Sequence, residues 1–262
     1  MERIVSLILC FLFLFSVVVG ANTEFEPYQD ELEIMNKIKN DANPIYYWQL
    51  SQVRLKHAAR LYQSWQNNGD AKDFQRALIY AESASDLQPD WDEAWLLEGM
   101  LYAELKSDHK ALEKAVAALI RAVDINPANG RAQMILAQLL MEQGRFWSAI
   151  EQYQSLIAKN KAMQNGTIIS QLTFCYIADG RVQAGRDYIE RLLKDEQYEG
   201  DKDWLKISRA VLFKAQGDKG QAVNILESSL NNIKEVEKSD SAKVKEMEYL
   251  LKRWNKAVTN KE

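Results

Sequence analysis

The strongest pattern along the chain is a stripe of apolar and small side chains at helical spacing, interrupted at regular intervals by Gly, Pro and Asn. Trp95, Gly99 and Tyr102 fall at i, i+4 and i+7, which puts them on one face of a helix. Ala115, Leu119 and Ala122 repeat the spacing on a second helix, and Pro127 closes the unit. Small residues in such stripes let two helices approach closely, while the Trp95 and Tyr102 rings fill the space beside them. Other windows read the same way. Ile45 to Trp65 carries Trp48, Leu55, Ala58 and Tyr62; it opens on Asn43-Pro44, a capping residue followed by Pro at the first helical position, and stops at Asn67-Asn68-Gly69-Asp70. Asp73 to Leu87 follows, with Ala77, Ala81 and Ala84 ahead of Pro89. Further on, Leu136, Ala137 and Leu140 precede the turn Gly144-Arg145, and Ala149, Tyr153 and Leu156 come after it. Leu172 and Tyr176 lead to Gly180-Arg181, then Gly185, Ile189 and Leu192. Ala210 and Phe213 lead to Gly217-Asp218, then Ala222 and Leu226. The turn glycines 144, 180 and 217 recur at intervals of 36 and 37 residues.

A helix pair with W-x2-L-G-x2-Y on its first helix, A-x3-F on its second and a closing Pro, repeated about every 34 residues, is the tetratricopeptide repeat (TPR) pattern. The segment from Asp92 to Pro127 resembles it, with Glu98 where Leu is usual and a longer connection between Tyr102 and Ala115. The resemblance extends from about Ile45 to Ile233 and is strongest in the second and third pairs. It implies an all-α, right-handed superhelical solenoid of about five helix pairs over residues 45–235, with capping helices at its ends. Residues 22–44 supply a lead-in helix with Leu32, Met35 and Ile38 on its apolar side. Residues 236–262 supply the C-terminal cap, starting near Ser241, with Val244, Met247, Leu250 or Leu251, Trp254 and Val258 turned inward. A terminal element of this kind covers the last repeat and presents a polar outer face.

Composition narrows the function classes. Of 262 residues, 47% are hydrophobic and 27% charged, while only 11 are Gly and 4 Pro, which argues against both disorder and a turn-rich β fold. A net charge of −4 gives no footprint for nucleic acid. The N-terminus is different: Ile4 to Val19 is apolar apart from Ser6, Cys10 and Ser16, and Gly20-Ala21-Asn22 follows. That reads as a signal peptide over residues 1–21, hence an exported protein, periplasmic or secreted; the other reading is an uncleaved membrane anchor over residues 4–20. Removal of the signal leaves Cys175 alone, without a disulfide partner and without nearby cations to activate it, so it reads as a small buried hydrophobe.

No catalytic constellation stands out. His57 and His109 are isolated, no metal-ligand spacing occurs and no glycine-rich phosphate loop is present, so no metal or cofactor is expected. Asn165-Gly166-Thr167 is a glycosylation sequon, meaningful only in a eukaryotic secretory source. The resemblance places ligands on the concave face formed by the first helix of each repeat. Aligned on turns and prolines, that face takes Leu96, Met100 and Ala103 from the second repeat, and Arg131, Met134, Gln138 and Met141 from the third. Phe174 and Ile177 come from the fourth, and Trp204, Ile207 and Val211 from the fifth. TPR domains that bind chaperones hold a terminal carboxylate with Lys and Asn at such positions; Leu96, Met100, Met134 and Gln138 offer no such clamp. The expected role is a non-enzymatic scaffold whose apolar concave groove takes a protein or peptide. The alternative is an accessory ligand-binding subunit of an extracytoplasmic transport or envelope complex.

Overall fold

A computed structural model describes residues 27–236 and 241–256, and the apolar run read as a signal lies outside them. The described residues form twelve α-helices and one short 3-10 turn, with no strand among them. The lead-in is α1 (Gln29–Asn40). Five antiparallel pairs follow: α2 (Pro44–Asn68) with α3 (Ala71–Leu87), α4 (Asp92–Glu104) with α5 (His109–Ile125), and α6 (Gly130–Glu142) with α7 (Phe146–Lys159). The last two are α8 (Gly166–Ala178) with α9 (Val182–Lys194), and α10 (Lys202–Ala215) with α11 (Lys219–Val236). The last described helix is α12 (Ala242–Lys256). Each helix packs on the next in sequence, and first helices of successive repeats also touch, as in α2 with α4, α4 with α6 and α8 with α10.

Local chemistry explains the boundaries. Asn43, Asp70, Asp108, Asn129, Asn165 and Asp201 each cap a helix N-terminus through the side-chain oxygen. The sequon asparagine Asn165 is thus engaged with the Ile168 N–H at 3.1 Å. Gly69, Gly144, Gly180 and Gly217 all take positive φ, between 72° and 91°, and turn the chain from the first helix of a pair into the second. Gly99 serves a different need: a Cβ there would sit 2.7 Å from Leu119 Cγ and 3.2 Å from the Ala115 carbonyl oxygen, so only glycine allows α4 and α5 to close.

The core falls into three apolar clusters along the axis. The first joins α2 and α3 through Ala58, Leu61, Phe74 and Tyr80. The largest runs from the second repeat to α10 of the fifth and contains Leu119, Leu136, Tyr153, Ile169, Cys175, Ile189 and Leu205. The third ties α10 and α11 to α12, where Val244, Met247, Leu250 and Trp254 are buried against Ile207, Leu226 and Leu230. The outer side of α12 carries Lys245, Glu248, Lys252 and Arg253.

The lead-in helix docks in a way its sequence does not announce. Leu32 is exposed; the inward positions are Glu31 and Ile34, with Met35 and Ile38 half-buried. Glu31 is only 1% exposed, and its carboxylate accepts from Arg54 Nε at 2.9 Å, the Tyr80 hydroxyl at 2.5 Å and the Tyr28 N–H at 3.1 Å. Arg54 also donates to the Ser83 hydroxyl. His57, buried beneath α1, places Nε2 3.0 Å from Asp30 Oδ1 and stacks on the Tyr28 ring at 3.8 Å. Each buried polar atom in this group finds a partner, which is what makes burial of a carboxylate tolerable.

Candidate functional site

A cavity of about 230 Å³ takes its lining from the first helices of three successive repeats and the turn after α4. Tyr62 enters from α2, Met100, Ala103 and Glu104 from α4, and Ile135, Gln138, Leu139 and Glu142 from α6, with Lys106 on the turn. No second helix contributes to it, so it opens on the side where first helices line up. The Tyr62 hydroxyl donates to Glu104 Oε1 at 2.6 Å. Burial, followed by the Glu104 carboxylate, pushes the Tyr62 hydroxyl well above its ordinary range, so it stays a donor at neutral pH.

The structure brings some of the expected groove residues together and separates others. Met100, Ala103 and Gln138 line this cavity. Met134, Met141 and Ile177 are half-buried at the edge of the central core. Leu96 is 5% exposed and belongs to that core, one helical turn before Met100 on the same side of α4. Phe174 is 54% exposed and meets Phe146, at the start of α7, edge-on at 6.0 Å. In the fifth repeat the expected groove residues are packing residues. Ile207 is buried, and Trp204 and Val211 are half-buried, all in the cluster that α12 covers. Trp204 lies so tightly across the N-terminus of α8 that a Cβ at Gly166 would be 2.4 Å from its ring. Tyr62, Glu104, Lys106, Ile135, Leu139 and Glu142 were not expected at a site. Shifting the helical phase by one residue within α6 would have found the last three.

A second polar cluster lies between α3, α4 and α5. Glu98, in the position where the repeat pattern has Leu, accepts from the Ser85 hydroxyl beside Glu82 and Asp86. The Tyr102 hydroxyl donates to Glu82, and Lys114 Nζ reaches the Tyr102 oxygen at 2.6 Å. Burial first, and then the charges of Glu82 and Asp86, push the Glu98 carboxyl up to about 7. These groups pair with one another across three helices, which makes the cluster a packing device of the second repeat. Cys175 is fully buried, and burial raises its thiol to about 11, so it is inert at neutral pH. Among the described residues no group of three or more His, Cys, Asp or Glu could hold a metal ion, and no helix is long and apolar enough to cross a membrane.

Stacked antiparallel pairs with glycine turns, small-residue interfaces and a first-helix inner wall define a TPR-type helical solenoid, the architecture of a protein-interaction scaffold. Residues 107–162, from α5 through α7, match the tetratricopeptide repeat family model. Among solved structures the chain is similar to MamA, with 17% identity over 73% of this chain and 96% of that one and a TM-score of 0.52. It is also similar to MamA from Desulfovibrio magneticus RS-1 (14% identity, 71% and 98% covered, TM-score 0.48). A further similar structure is YrrB, a TPR protein with an unusual peptide-binding site (13% identity, 76% and 91% covered, TM-score 0.48). No curated protein matches the chain by sequence. At these identities the likeness is one of fold.

Proposed function

We propose that the chain is a non-enzymatic scaffold that works outside the cytoplasm and holds a peptide segment of a partner protein in its inner groove. The observation that carries this reading is the cavity shared by α2, α4 and α6, where Met100, Ile135 and Leu139 give apolar contact and Gln138 offers both a donor and an acceptor. The inner wall is shaped by three repeats at once, so the stacked array holds the groove geometry without help from a partner. The other reading, a subunit that encloses a small ligand, asks for a pocket of roughly 300–1,000 Å³, larger than the roughly 230 Å³ here.

Gln138→Trp tests the groove, because the larger ring fills the cavity from a half-buried position. Residues 27–262 would be screened against a positional-scanning nonapeptide library alongside this variant. The expected result is at least a tenfold loss of retained peptide with a melting temperature close to the parent's. A parent that retains no peptide, or a variant that retains as much as the parent, refutes the groove reading.

The extracytoplasmic setting rests on the apolar run Ile4 to Val19 followed by Gly20-Ala21. Terminal sequencing of the protein from its native source should read a mature chain beginning at Ala21 or Asn22. A membrane-bound chain that keeps residues ahead of Val17 would show an anchor in place of a cleaved signal.

A further inference from the structure

The cavity has a charge pattern that its apolar walls do not require. Glu104 and Glu142 are the last residues of α4 and α6, and both line it. Each sits where its helix ends in unsatisfied carbonyls, so the carboxylates and the negative ends of two helix dipoles reinforce one another. Lys106 is the one basic residue among the described lining residues, and it is exposed on the turn. Arg131, whose charge acts on Tyr62, belongs to the opposite end of α6. Two carboxylates therefore line the cavity beside one exposed ammonium. The Tyr62 hydroxyl, donating to Glu104 Oε1, holds one carboxylate in place at that mouth.

Resting on the groove reading above, we propose that this cavity takes an arginine side chain of the bound peptide. Its methylenes lie against Met100, Ile135 and Leu139, and its guanidinium meets Glu104 and Glu142. Arginine fits better than lysine for two physical reasons. The guanidinium is planar and more weakly hydrated, so it enters an apolar-walled site at lower desolvation cost. It also has five donors, enough to serve two carboxylates and the Gln138 carbonyl together, whereas an ammonium has three. The cavity thereby sets a specificity that an apolar groove alone lacks: it admits a long cationic side chain and rejects an acidic one.

The test uses the same nonapeptide library, read position by position on residues 27–262 and on the variants Glu104→Gln and Glu142→Gln, which keep shape and hydrogen-bonding capacity. The parent should enrich arginine at one position by at least fivefold. Each variant should lose most of that enrichment while keeping its apolar preferences at neighbouring positions. A retained peptide resynthesised with citrulline, the uncharged isostere of arginine, should bind the parent at least tenfold more weakly, and the difference should shrink as salt rises. Retained peptides with no arginine preference, a preference unchanged in both variants, or citrulline binding as well as arginine would overturn the proposal and leave the groove standing. Retention of no peptide at all would refute the groove reading itself.

Discussion

Trp254→Ala is expected to lower the unfolding free energy of residues 27–262 by about 3–5 kcal/mol, the range for truncating a large buried aromatic. Trp254 is 8% exposed and closes the cluster that also holds Leu226, Leu230 and Met247. Deleting residues 241–262 goes further. It uncovers Ile207, Ala222 and Leu226 on α10 and α11, which share a cluster with α12. The truncated chain should therefore unfold in a broader transition at lower urea, with exposed apolar surface that binds a hydrophobic dye before the main transition. Urea melts followed by circular dichroism measure both effects. Midpoints and slopes equal to the parent's would mean that α12 contributes nothing to the array and serves as a detachable arm.

Glu98→Gln should stabilise the protein at pH 8 by about 2 kcal/mol and leave it nearly unchanged at pH 4.5. Burial raises this carboxyl from 4.5 to about 7, with Glu82 and Asp86 adding to the effect. Between those two values the folded protein holds more protons than the unfolded chain, so stability declines as pH rises through the window. The stabilising contribution is complete below 4.5 and gone above about 7, where a partly buried carboxylate remains charged beside two others. Glutamine keeps an acceptor for the Ser85 hydroxyl without the charge, so the variant escapes the decline. Unfolding free energies from pH 4.5 to 8 would show the difference opening only in the upper half of that range. An equal gap at both ends, or a variant less stable at pH 8, would mean that the Glu98 charge is not what the site resists.

Much of the fold could be read from the chain because its signals are local. The glycines at 69, 144, 180 and 217 needed left-handed turns, and Gly99 and the alanine stripes needed close helix contact. The lead-in helix was misread by one position, with Leu32 taken as inward. Its true anchor, Glu31, is a carboxylate whose partners Arg54 and Tyr80 lie 23 and 49 residues away. No periodicity announces a buried charge whose compensation comes from distant helices. The lining of the cavity was legible only in part. Helix α4 carries Ala94, Leu96, Leu97, Met100 and Leu101 around its circumference, so hydrophobic spacing alone cannot say which of them faces a neighbour. Met100 and Gln138 line the cavity, whereas Leu96 and Ile207 are buried, and Trp204 half-buried, in the apolar clusters.

The division of the interior into separate clusters has a consequence for how the array breathes. Tyr62 belongs to the first cluster, Leu139 to the central one, and Met100 packs against both. All three line the same cavity, which therefore spans the junction between two apolar clusters. Anything lodged there rivets the clusters together. Amide exchange across α1 to α3 would slow on occupancy even where those helices touch no ligand, and the first repeat would report on the state of the groove.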